Sequence, residues 1–190
     1  MERLVTTSTK RQYVQCRNCM HSPLYLMVME LGTIRSSSRQ SVLRELKTFF
    51  KIQELVCSHV YNRFGENAWQ FLDTDLLRFL LWVRLLTDKP LTVNNYHSGG
   101  SYSQRGLRCN KCDLVATKTY AYVSAHILGK AVDMTVEDMD VEEVRSLIKE
   151  NKSSLPCQLR LEEGVSWVHG DVRSSMGYDS DDYCIITFTD

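Results

Sequence analysis

The chain has 190 residues, with 23 Lys plus Arg balanced by 23 Asp plus Glu and no formal net charge. Neutrality removes the long-range pull on phosphates that nucleic-acid binders show, and the usual attraction to anionic membrane surfaces, so neither partner is expected. A chain of this length can bury about 70% of its unfolded surface in one core; it needs no disulfide scaffold, and its seven cysteines read as reduced thiols rather than a secreted framework.

Residues 1–45 are polar and Ser-rich, with "TTSTK" and "IRSSSRQS" on either side of the apolar patch "PLYLMVM". They are expected to form a poorly ordered or accessory N-terminal extension. The patch is far shorter than the ~20 residues of a membrane span. It also lacks the basic, apolar and small-residue order of a signal peptide. No membrane span is expected, and a target outside the cytoplasm would require delivery by another agent.

A packed domain is expected over 46–190. "DTDLLRFLLWVRLL", residues 73–86, has a capping Asp or Thr followed by a dense apolar pattern, which predicts a mostly buried helix. Lys89-Pro90 ends it. "LTVNNY" predicts a strand, and "HSGGSYSQRG" a loop. "DVEEVRSLIKEN", residues 140–151, opens with Asp140 and Glu143 in capping-box spacing and carries one apolar face. "QLRLEEGVSWVHGDV" alternates around Glu163-Gly164, which predicts a β-hairpin, and "YCIITFTD" a last strand. The mixed order of strands and helices argues for an α+β fold with a small, mostly antiparallel sheet.

"SAHILGKAVD", residues 124–133, places His126 and Asp133 seven positions apart in an apolar setting. A buried strand with one polar pair is the plain explanation. Two metal ligands are the other, and they require a bend. A straight helix would separate the pair by roughly 10 Å, and a straight strand by over ~20 Å. Gly129 is the residue able to supply that bend. His169 in "SWVHGDV" is the candidate third ligand. Two imidazoles and a carboxylate, with water in a fourth position, describe an open zinc site of the catalytic kind.

These segments resemble a known family. "SAHILGKAVD" is similar to the Ser-x-His-x-x-Gly-x-Ala-x-Asp signature of the D-Ala-D-Ala metallopeptidases, whose fold is shared with hedgehog signalling domains. "WVHGDV" resembles the family's second signature, and "LTVNNYHSGGSYSQRGLRCN" the upstream segment of its phage members. The resemblance covers roughly residues 50–190. It implies that His126, Asp133 and His169 ligate Zn²⁺, that Ser124 helps to hold a substrate carboxyl, and that Arg108 stabilises the tetrahedral intermediate. The implied function is hydrolysis of amide bonds in peptidoglycan stem peptides, as a D,D-carboxypeptidase or an L-Ala-D-Glu endopeptidase. An endolysin-like phage enzyme of this kind would be a monomer, made in the host cytoplasm and acting on the cell wall after release, or carried by the virion.

One position departs from the pattern. Many members carry a general-base Glu three residues before the last His, where this chain has Ser166. Glu162 is the candidate base, because a two-residue turn at Glu163-Gly164 would start the paired arm at Glu162 and point it to the face of His169. Glu163 is the alternative. The Ser at 166 also leaves open a non-catalytic zinc-containing module of hedgehog type, or a phage structural module. Two Cys-x-x-Cys pairs, Cys16/Cys19 and Cys109/Cys112, form a further candidate zinc set, with plain buried or loop thiols as the other reading. His59, on an apolar helix-like stretch, reads as a core or surface residue.

Overall fold

The computed structural model describes residues 31–173 and 185–189. The fold is α+β: helices pack against a five-stranded mixed sheet of order β1-β2-β4-β3-β5. The strands are β1 (Leu91–Thr92), β2 (Ala131–Val136), β3 (Leu159–Glu162), β4 (Val168–Asp171) and β5 (Ile185–Phe188). All pairings are antiparallel except β3 with β5. The sheet is thus mostly antiparallel, as the pattern of elements suggests.

The helices are α1 (Arg39–Phe49), α2 (Ser58–Phe64), α3 (Thr74–Thr87), the short α4 (Asp113–Ala116) and α5 (Val141–Glu150). Helix α3 is capped by Asp73, whose side chain accepts the Asp75 N–H at 2.8 Å. It buries Leu76, Leu77, Phe79, Leu80, Leu81, Trp82, Val83 and Leu86, so it runs through the core rather than over it. Phe79 packs so tightly on β4 that a Cβ at Gly170 would come within 2.5 Å of its ring. Helix α5 has the capping box expected from Asp140 and Glu143.

Two local features differ from the expectations. The strand predicted for 91–96 is only Leu91–Thr92, and Tyr96–Ser98 form a 3₁₀ turn. Residues 1–30 of the expected extension lie outside the described residues, but Leu31, Ile34 and Val42 are buried in the core. Helix α1 crosses position 45 and buries Leu46 as well, so the packed unit reaches back at least to Leu31. The Ser-rich composition of 36–41 hides this, because Ser38 is the N-cap of α1 and accepts the Ser41 N–H.

Candidate metal centres

Asp133 and His169 are direct cross-strand partners on β2 and β4, so both side chains leave the sheet on one face. One step beyond the Leu161–Gly170 pair, the β3–β4 register sets Glu162 opposite His169. On the other side of β3, Glu162 is paired with Phe188 of β5. A row of Asp133, His169, Glu162 and Phe188 therefore crosses four strands, and all four line a cavity of about 330 Å³.

His126 reaches the end of this row from outside the sheet. It lies in a turn closed by the Lys130 N–H on Ala125 O at 2.8 Å and the Gly129 N–H on His126 O at 3.3 Å. Gly129 has φ +67°, and a Cβ there would lie 2.1 Å from Phe71 O. Backbone angle and available space both demand glycine. The bend needed between His126 and Asp133 is made at this residue.

The three side chains converge. His126 Nε2 lies 3.4 Å from Asp133 Oδ2, and His169 Nδ1 lies 2.6 Å from Asp133 Oδ1. One ligand atom from each falls within 4.8 Å of the others, so the group could hold a metal ion. The remaining ring nitrogens are oriented from behind. His126 Nδ1 lies 3.0 Å from the Gly106 carbonyl, which can only accept, so Nδ1 carries the hydrogen and Nε2 faces the carboxylate. His169 Nε2 lies 3.5 Å from Oδ2 of the fully buried Asp171. Carbonyl and carboxylate partners of this kind hold imidazoles in ligating orientations.

Burial and pairing oppose each other at these groups. For His169, burial alone would lower the pKa, but hydrogen bonds to Asp133 and Asp171 overturn this and raise it to about 9. Burial would raise Asp133, yet hydrogen bonds with His126 and His169 hold it well below the usual carboxylate range. Burial lowers His126, and the Arg108 charge lowers it further against the pull of Asp133. Asp171 is likewise pulled down against its burial, by His169 and Arg173.

Glu162 is 7% exposed, with Oε2 3.9 Å from His169 Nδ1. Glu163 points away and pairs with Lys149 Nζ at 2.6 Å on the surface. The turn is longer than the two residues expected: β3 ends at Glu162 and β4 starts at Val168. Loop 163–167 shifts the register and places Glu162 directly across from His169, where a tight turn would have paired it nearer the hairpin tip. Buried Arg145 holds this loop by donating to Val165 O and Trp167 O, both at 2.7 Å. Arg108 and Ser124 line the same cavity. The Arg108 guanidinium donates to Gln104 O at 2.5 Å and to Asp133 Oδ2 at 3.1 Å. The Ser124 carbonyl accepts the Ile127 and Leu128 N–H groups and so anchors the His126 turn.

A second cluster lies elsewhere. Cys57, His59, Cys109 and Cys112 bring one ligand atom each within 4.8 Å of one another and could also hold a metal ion. Cys16 and Cys19, the partners considered from the sequence, lie outside the described residues. The overlooked signal is the Cys-x-His of "VCSHVY", whose apolar neighbours made His59 read as an ordinary helix residue.

Comparison of this chain with protein-family models, with curated proteins and with solved structures gives no match.

Proposed function

We propose that the chain is a zinc-dependent peptidase of the D-Ala-D-Ala metallopeptidase kind, hydrolysing amide bonds in peptidoglycan peptides. The observation that carries this is the strand-to-strand row: a buried carboxylate, Glu162, stands beside the His126–Asp133–His169 cluster at the wall of an open cavity. The donor set suits zinc, with two imidazoles, one carboxylate and both rings held by outer partners. Arg108, Lys118 and Arg173 line the same cavity, which suits a peptide bearing carboxylates. The substrate class itself comes from the likeness of residues 124–133 and 167–172 to the family signatures.

Zinc held there would acidify a water and polarise the scissile carbonyl. Glu162 would take the proton from the attacking water and pass it to the leaving amine. Arg108 would place guanidinium charge against the developing oxyanion. Its contacts to Gln104 O and Asp133 Oδ2 hold the guanidinium beside the cluster. Ser124 would hold a substrate carboxyl oxygen at the cavity mouth. An endolysin-like role would place this chemistry at the bacterial wall after release from a host cytoplasm.

The test is digestion of purified peptidoglycan, read by mass spectrometry of the muropeptides, with metal content measured on every sample. Glu162→Gln should lower turnover by about 10²–10⁴-fold with metal retained, while Glu163→Gln should stay near wild type. Metal-loaded wild type that cuts nothing would instead favour a non-catalytic binding module, the reading suggested by Ser166. The masses of the released fragments name the bond that is cut.

A further inference from the structure

We propose that Cys57, His59, Cys109 and Cys112 bind a structural zinc ion that fastens the Arg108 loop to the start of α2. The site is separate from the His126–Asp133–His169 cluster and does not depend on the peptidase reading. Three sulfurs and one imidazole form a closed four-ligand set, and the Cys-x-x-Cys spacing of 109–112 is that of structural zinc sites. Cys57 Sγ and Cys109 Sγ are 3.7 Å apart, and Cys112 Sγ lies 3.9 Å from His59 Nδ1. Tetrahedral zinc with Zn–S of about 2.3 Å requires sulfurs ~3.8 Å apart. A disulfide would instead require about 2.05 Å, and all four described cysteines are free thiols.

Burial pushes the Cys57 and Cys112 thiols up, and two backbone N–H groups face the sulfurs against it. The Lys111 N–H donates to Cys109 Sγ at 3.4 Å, and the Cys109 N–H to Cys112 Sγ at 3.3 Å. Such N–H contacts favour charged sulfur and set its direction. Next to the cluster the two chain segments are already stitched together. The Cys57 N–H donates to Leu107 O and the Leu107 N–H to Leu55 O, both at 2.9 Å. Gly106 lies so close to Leu55 that a Cβ would meet its carbonyl oxygen at 2.1 Å. The clamp thus begins at Cys109, two residues beyond Leu107, the residue stitched to Leu55, and Arg108 is held between them. The Gly106 carbonyl that orients His126 belongs to the same tethered stretch.

Cobalt(II) titration of the full chain separates the two clusters, because only the cysteine set can give a thiolate-to-cobalt charge-transfer band. Wild type should show one equivalent of cobalt with that band. Cys109→Ser and Cys57→Ser should each weaken the band, the double variant Cys109→Ser/Cys112→Ser should lose it with one metal equivalent, and His169→Ala should keep both. Serine variants that fail to fold are covered by His59→Cys, which should keep the equivalent and strengthen the thiolate band. The proposal falls if wild type shows no thiolate band. It falls equally if the band is unchanged in Cys57→Ser, or if it is lost in Cys16→Ser/Cys19→Ser instead.

Discussion

At the scale of single residues, the protonation of His169 is the most consequential feature of the cavity. In protein stripped of metal its pKa is about 9, against an ordinary 6.5. The folded state therefore holds this proton more tightly than the unfolded chain does. The stabilisation is fully present below 6.5 and is lost as pH rises through about 9. Asp133 has the opposite sign: held below its ordinary 3.8, it stabilises above that value and loses the effect as pH falls through its lowered pKa. From His169 and Asp133 alone, stripped protein should be most stable between about pH 4 and 6.5. His126, lowered by burial, works the other way and loses its contribution as pH falls below 6.5, and chemical denaturation across pH measures the balance. Ligation removes the His169 Nδ1 proton, so metal uptake at the His126–Asp133–His169 cluster, followed in protein whose cysteine cluster is already loaded, should release close to one proton at pH 7. Calorimetry in buffers of differing ionisation enthalpy counts that proton, and a value near zero would contradict the hydrogen-bonded arrangement. Asp171→Asn should weaken metal binding by about 10–100-fold, through loss of the carboxylate behind Nε2, with the three ligands intact.

At the scale of elements, two short devices do most of the placing, and only one of them is legible in the sequence. Gly129 can be read as the hinge because neither a straight helix nor a straight strand brings residues 126 and 133 together, and glycine is the residue between them that bends most easily. Gly129→Ala should destabilise the fold by about 1–3 kcal/mol, since it combines a strained φ with a clash on Phe71 O. Metal affinity should fall further than stability alone explains, which parallel denaturation and metal-competition measurements would reveal. Loop 163–167 is the second device, and its length could not be read from the residues. Glu163-Gly164 suits a tight turn, and Gly164 does adopt φ +78°, but Arg145 on the distant α5 captures the carbonyls of Val165 and Trp167 and holds the wider loop open. A tertiary contact overrode a local preference. The truncated strand at 91–96 has a nearer cause: the Asn95 and Tyr96 N–H groups both turn back to Tyr102 O in the following loop. His59 is again a tertiary matter, since the Cys109 and Cys112 sulfurs near it belong to residues some fifty positions away in the chain. Capping signals at Asp73 and Asp140 are short-range, so those helices are legible in the sequence alone.

At the scale of the whole molecule, the two clusters should carry different burdens. The His126–Asp133–His169 group joins neighbouring sheet positions that the β2–β4 ladder already holds in register. Emptying it should abolish turnover and cost little unfolding free energy beyond the mass-action loss of a bound ligand. The Cys57–His59–Cys109–Cys112 group ties segments that are separated by 52 positions at its sulfur pair. By analogy with a covalent cross-link closing such a loop, the clamp should contribute about 4 kcal/mol. At this chain length that corresponds to a drop in Tm of about 10 °C when it is removed. His169→Ala and Cys109→Ser, each purified metal-loaded and followed by calorimetry, separate these roles. The first should fail to cleave and melt lower only by what its lost metal and the His169 pairings contribute, a smaller drop than the second. The second should melt about 10 °C lower, and its residual cleavage below the transition should also fall, because Arg108 and the Gly106 carbonyl lose their anchor. Equal Tm losses in the two variants would mean that the sheet does not hold its own row of ligands. The division between a chemical and a mechanical metal would then be abandoned.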